Sequence, residues 1–316
     1  HPPLSSRPSR AARRGGPRDL FAAGRVRWDR VGDRAQSAPR RTVEQMLRQT
    51  APAPQVLRPP ARIAATHLAT YVQCPRLYWW THVLGVERPE PAPAAAGLSP
   101  LRWGTVCHRA MELVHDGSGA AVRAAARQAL REVAVTESDR RKLGDRLVAS
   151  LSAFWDSAVG RRVAAARQTR REMPFVLALD GTEVRGTIDL AFEDAQGAWE
   201  IVDYKSSAPS PERADQAAAL FDLQLGLYAL AAGRWLGRDV ARWSVYFLGP
   251  AVAVEHQVAA GDLERADAAA RKALAGIAAA RYDCIDEHMC LPCRYRGLCG
   301  SGLEREEARS ESGGRR

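Results

Sequence analysis

No apolar run in this chain reaches the roughly 18 residues that a membrane-spanning helix requires. Nor does it open with an initiator methionine or a secretory signal; it begins His1-Pro2-Pro3-Leu4, with no apolar stretch behind a basic start. These absences set the expectation of a water-soluble cytoplasmic protein with no membrane association, and leave room for a detached part of something longer. A G-x-x-x-x-G-K-S/T loop is also missing, which excludes a recognisable ATP motor in this stretch. Internal repeats are not evident. Cysteine is scarce and unevenly placed. There are six, and four of them, Cys284, Cys290, Cys293 and Cys299, lie beyond residue 283. In a reducing compartment that clustering argues for a metal or cluster site rather than disulfides.

Hydrophobic residues make up 46% of the 316, enough for a sizeable core. The formal net charge of +10 suggests a polyanionic partner. However, residues 1–60 hold 13 Arg against 4 acidic residues, so nearly all of the excess sits there. The remainder is close to neutral, and charge by itself says little about nucleic-acid binding by the fold. Residues 1–60, rich in Arg, Pro, Ala, Gly and Ser, read as a disordered tail or linker, with a short helix conceivable over 42–49. Residues 301–316 read as a second disordered tail.

From residue 61 the pattern is helical. A helix over 66–80, capped by Thr66, is followed by a Pro-rich break and a second helix over 101–115. Ala/Arg/Leu-rich helices run on to about 169. The period then changes to two, giving strands over 173–179, 182–193 and 199–205, with Asp180-Gly181 and 194–198 as turns. A long helix over 212–236, a strand pair over 243–248 and 252–257, and a helix over 261–280 complete the core. The order specifies a mixed α/β domain spanning 61–300, with an N-terminal helical block.

Chemistry concentrates in Gly186-Thr187-Ile188-Asp189 and Asp203-Tyr204-Lys205. Asp203 and Lys205 are two apart on a strand, so they share a face. Asp189 lies on the neighbouring strand of the same hairpin, within cross-strand reach of about 5.5 Å. Two carboxylates suit Mg²⁺ or Mn²⁺, and a lysine beside them suits the negative charge that grows on a reacting phosphate. A solvated strand face of mixed charge has the same spacing. Against that alternative, Ile188, Leu190, Ile201, Val202 and Tyr204 make both strands apolar, and charges among them are costly unless paired or metal-bound.

Several further motifs stand in order around this pair: His108 in Gly104-Thr105-Val106-Cys107-His108, Glu172 ahead of strand 173–179, and Gln224 with Tyr228 four residues on. Together they resemble the PD-(D/E)xK nuclease superfamily, and within it the RecB-like exonucleases, over about 66–299. The resemblance implies a restriction-endonuclease-like mixed sheet flanked by helices. It implies a metal held by His108, Asp189 and Asp203, assistance from Glu172, catalysis with Lys205, and support from Gln224 and Tyr228. The activity implied is cleavage of DNA, on single-stranded ends in repair or recombination, with a helicase as partner or as an upstream region. A DNA-end-binding module with a vestigial site is the alternative.

Cys290-x2-Cys293-x5-Cys299 supplies three thiolates, one short of a tetrahedral site. The layout resembles the iron–sulfur staple of the AddB-type and CRISPR-associated members of that family. The resemblance implies a structural 4Fe-4S cluster held by Cys74 with Cys290, Cys293 and Cys299. Zinc, with Cys74 or Cys284 as a ligand, stays open. Cys107 reads as a buried helix residue. Tyr78, Trp79, Trp80 and Trp103 offer a base-stacking platform, although their helical spacing favours core packing. Arg161, Arg162, Arg167, Arg170 and Arg171 form a basic stretch near Glu172, readable as phosphate contacts or as a solvated face.

Overall fold

A computed structural model of the chain describes residues 59–86, 98–284, 293, 295, 296, 298 and 299. The expected tails (save residues 59 and 60), the helix over 42–49 and Cys290 lie outside the described residues. No helix among the described residues is long and apolar enough to cross a membrane.

One six-stranded mixed sheet organises the domain. Its strands are β1 (Arg62–Ala64), β2 (Gln168–Leu179), β3 (Thr182–Glu193), β4 (Trp199–Lys205), β5 (Val240–Phe247) and β6 (Val252–Gln257). The spatial order is β1-β3-β4-β5-β6, with β2 also paired to β3. Strand β2 runs antiparallel along the whole of β3. The other edge of β3 is shared. Its early residues pair in parallel with β1 at Ile63↔Val184, and its late residues pair antiparallel with β4 from Leu190↔Val202 to Glu193↔Trp199. Strand β4 then pairs in parallel with β5, and β5 antiparallel with β6.

Helices cover both faces. Before the hairpin come α1 (Ala65–Gln73), α2 (Pro75–Tyr78), α3 (Pro100–Leu113), α4 (Gly119–Arg131), α5 (Glu137–Asp156) and α6 (Ala158–Ala164). After β4 come α7 (Ala214–Ala219), α8 (Asp222–Leu236) and, past β6, α9 (Ala260–Ala278). One apolar core joins α1, α8 and α9 to a sheet face through Leu68, Leu225, Leu274, Ile188 and Ile201. A second core joins α3 to α6 to the other face through Met111, Leu147, Phe154, Val159, Leu190, Val202 and Tyr204.

Four local expectations need correction. Thr66 is an exposed residue inside α1, whose N-cap is Ala64 with no side-chain cap bond. The helix over 66–80 is broken at Cys74, which is extended (φ −163°, ψ 110°) because Pro75 disfavours helical geometry in the residue before it. Cys74 Sγ then accepts from the Leu77 amide, and a π-helical turn, Trp79–Val83, follows α2. The helical block ends at Ala164 and β2 begins at Gln168, so Glu172 lies inside this strand rather than ahead of it. The long helix over 212–236 divides into a 3-10 turn (Pro211–Arg213), α7 and α8.

Candidate active site

The site grows from a defect in the sheet. The β3–β4 ladder stops at Leu190↔Val202, one rung short of placing Asp189 opposite Asp203. Beyond that rung the Asp189 side chain replaces the backbone partner, and its Oδ2 accepts from the Tyr204 amide at 2.8 Å. The alternation of β3 slips at the same point. Val184 and Ile188 pack into the first core, whereas Leu190 and Phe192 pack into the second. Strand β2 slips in step. Met173 packs on the first core, while the Arg171 guanidinium donates to the Met111 carbonyl on α3, on the opposite side. Between them Glu172 takes a left-handed conformation (φ 46°), a region non-glycine residues enter rarely and at a cost.

Glu172 and Asp189 thereby meet, and α3 brings His108 to them. One ligand atom from each of His108, Glu172 and Asp189 lies within 4.8 Å of the other two. His108 Nδ1 is 3.4 Å from Asp189 Oδ1. Burial works to lower the His108 pKa, but Asp189 and then Asp203 outweigh it and the net shift is upward. Burial, followed by the Asp189 charge, raises Glu172 above the ordinary carboxylate range. Two acids drawn together out of solvent beside an imidazole form a donor set that a divalent cation would relieve.

Asp203 stands behind this group at 1% exposure. Its Oδ1 accepts from Gln224 Nε2 at 2.8 Å, and its Oδ2 faces Lys205 Nζ at 2.6 Å, off the angle that a hydrogen bond needs. Burial raises its pKa, with Lys205 opposing. Lys205 also lies 4.2 Å above the Phe221 ring, placed there by the break between α7 and α8. The same Gln224 amide contacts the Tyr228 hydroxyl at 2.7 Å. Tyr228 meets Phe175 edge to face. Both rings press on Gly186, where a Cβ would come within 2.6 Å of Phe175, so any side chain there has to displace that ring.

All seven sequence-derived residues therefore fall in one neighbourhood, in two groups. His108, Glu172 and Asp189 share one potential cation position. Asp203, Lys205, Gln224 and Tyr228 form a hydrogen-bonded and ion-paired set on the α8 side. A cleft of about 540 Å³ opens on the first group, lined by Leu101, Thr105, Arg109, Glu112 and Ser206 as well as His108 and Glu172. Sequence reasoning singled out none of those five. Leu101, Thr105 and Glu112 share the helix face of His108, a signal the sequence did offer, whereas Arg109 and Ser206 had only proximity to His108 and Lys205 along the chain. Tyr78, Trp80 and Trp103 are buried, while Trp79 is half-buried. Arg162 is engaged with Glu200 and Glu255. Cys74 and Cys299 are buried, and Cys284 lies close enough to Cys74 for the two thiols to interact.

Residues 62–300 match the family model of the PD-(D/E)XK nuclease superfamily. One ATP-dependent helicase/nuclease protein, from Anoxybacillus flavithermus, is 31% identical over 182 residues, 55% of this chain and 15% of that protein. Its namesake in Lysinibacillus sphaericus is 38% identical over 82 residues, 24% of this chain and 6% of that protein. This chain thus spans a small fraction of either relative. A solved structure of a candidate exonuclease from Eubacterium rectale aligns over 74% of this chain and 88% of its own, at 10% identity and a TM-score of 0.47. Matched across the segment that carries every carboxylate of the site, this chain belongs to the PD-(D/E)XK nuclease superfamily.

Proposed function

We propose that this chain is a Mg²⁺- or Mn²⁺-dependent deoxyribonuclease of RecB-like type, acting as an exonuclease on single-stranded ends in repair or recombination. A helicase, as partner or as an adjoining region, would deliver those ends; the helicase/nuclease relatives support this. The observation that carries the reading is the convergence of His108, Glu172 and Asp189 on one potential cation position, with His108 and Glu172 lining the cleft and the buried Asp203–Lys205 pair behind.

One nitrogen and several carboxylate oxygens suit a hard divalent cation. His108, Glu172 and Asp189 would hold it, with Asp203 adjoining. The metal, when bound, supplies Lewis-acid polarisation of the phosphodiester and makes the attacking water easier to deprotonate. Lys205, fixed between Asp203 and the Phe221 ring, offers a preset positive charge to the phosphate oxygens as their charge develops. Gln224 and Tyr228 keep Asp203 oriented. Asp189 is anchored by the Tyr204 amide, so its Oδ1 stays turned towards His108.

A 4Fe-4S cluster on Cys74, Cys290, Cys293 and Cys299 forms the second part of the proposal. Support comes from their spacing and from Cys74, buried at a break before a short helix. Cys284, beside Cys74, makes zinc the competing occupant. An anaerobic preparation should be brown with a broad visible band; a colourless protein with stoichiometric zinc would reject the cluster.

The activity is tested with end-labelled and circular single-stranded DNA, with and without Mn²⁺. Mn²⁺-dependent shortening of linear strands, abolished in folded Asp189→Asn and Lys205→Ala variants, is the expected result. Full activity in both variants would reject the site, and cleavage of circles would reject the exonuclease assignment.

A further inference from the structure

Away from the cleft, α4 and α5 form a groove with no counterpart in the site described above. Helix α4 buries Val122, Ala125, Ala126, Ala129 and Leu130 and carries no acidic residue. Its outer face presents Arg123, Arg127 and Arg131, all exposed and spaced by four residues. Successive guanidinium roots on such a face are about 6 Å apart along the axis, a spacing on the scale of successive phosphates in an extended strand. A cavity of about 360 Å³ lies between the two helices, bordered by these three residues with Arg140 and Arg141, against the acids Glu137 and Asp145 only.

Two of the five arginines have local work. Arg140 donates to the Leu130 carbonyl and sits 3.6 Å from Glu137, and Arg131 is 3.4 Å from Gln128. Among the described residues no ion pair engages Arg123, Arg127 or Arg141. The row also points somewhere. Glu132, directly after Arg131, pairs with Arg109 at 3.0 Å, and Arg109 follows His108 on α3 and lines the catalytic cleft. The end of α4 is thus pinned to the rim of that cleft.

We propose that the Arg123–Arg127–Arg131 face is a phosphate rail that holds the backbone of the DNA strand beyond the nucleotides in the cleft. This rests on the nuclease reading and assigns a substrate path to it. Regular charge spacing without base-stacking side chains makes the rail sequence-independent, and its affinity comes from counterion release.

Binding is measured on the full chain carrying Asp203→Asn, with a labelled single strand, across a salt series. Arg123→Glu/Arg127→Glu is compared with Arg234→Glu/Lys272→Glu, an equal charge change at exposed positions of α8 and α9. The rail variant should lose about 1.4 from the log–log salt slope, two single-strand contacts at about 0.7 each, and the control should keep it. With Asp203 restored, the rail variant should raise KM with kcat unchanged. Arg123→Gln/Arg127→Gln, set against Arg234→Gln/Lys272→Gln, gives the same comparison should the Glu variant not fold. Equal slopes and equal KM for rail and control overturn the rail while leaving the nuclease reading standing. A parent chain that neither binds nor cleaves DNA overturns both.

Discussion

At Glu172 the backbone is held in the left-handed region, and the carboxylate it re-aims is one of the three groups that meet at the potential cation position. Glycine takes this conformation without the penalty of about 1–2 kcal/mol that a Cβ brings. Glu172→Gly should therefore be more stable than Glu172→Ala by about 1 kcal/mol in urea unfolding, reversing the usual order of the two residues. Both variants should lose metal-dependent cleavage. Equal stabilities would show that the kink relaxes at no cost. Gln224 tests the opposite side of the site. Its amide holds Asp203 Oδ1, and support of this kind typically contributes 10–100-fold to metal affinity or activity. Gln224→Ala should weaken cleavage by about that factor, and Gln224→Glu should do worse by setting a second buried acid against Asp203; kcat against Mn²⁺ concentration separates these outcomes. That Asp189, Asp203 and Lys205 come together was legible in the sequence, because strand period and spacing put them on one hairpin. The strained dihedral at Glu172 was not. A glutamate carries no local signal for φ above zero, and only the pairing of two slipped strands imposes it.

Elements show the same division. The hairpin β2–β3 and strands β4 to β6 follow directly from alternation and from turn residues such as Asp180-Gly181. Strand β1 escapes such reading, since three residues are too few to establish a period, and its pairing with β3 is non-local. The break at Cys74 was readable in principle from Pro75 but is masked by the helical apolar pattern on either side. Within the hairpin, Gly186→Ala would drive a methyl group into the Phe175 ring. Destabilisation of about 1–3 kcal/mol is expected, relieved in part by Phe175→Leu, and thermal melts of the single and double variants measure it. Between α1 and the π-helical turn, His67 and His82 stack with ring centroids 3.7 Å apart. Burial, then the proximity of His67, depresses the His82 pKa to about 4. Its unfolded value is about 6.5, so the neutral native form contributes stability above that pH and loses it as pH falls towards 4. Between pH 7 and pH 5 the urea midpoint of the parent chain should drop further than that of His82→Gln. Parallel drops would remove the pair from the acid response.

Across the whole molecule, the sheet separates two apolar cores, and the candidate cation position joins the sheet to the helical block on one of its faces. His108 comes from the helical block packed on one face, while Glu172 and Asp189 come from the hairpin. A cation there links α3 to the sheet and stabilises only the folded arrangement. At 100 times its dissociation constant, Mn²⁺ should add about 2.7 kcal/mol, or roughly 5–10 °C in Tm for a domain of this size. Asp189→Asn should abolish the rise, and an unchanged rise would place the ion elsewhere. The opened rung between β3 and β4 also has a spectroscopic consequence. The Tyr204 amide proton is held by a side-chain carboxylate where a strand carbonyl would ordinarily stand. Its exchange with deuterium therefore follows the freedom of Asp189 rather than the breathing of the sheet. Resolved by residue, the exchange of that one proton should slow when Mn²⁺ fills the proposed site, an internal clock readable with neither substrate nor turnover.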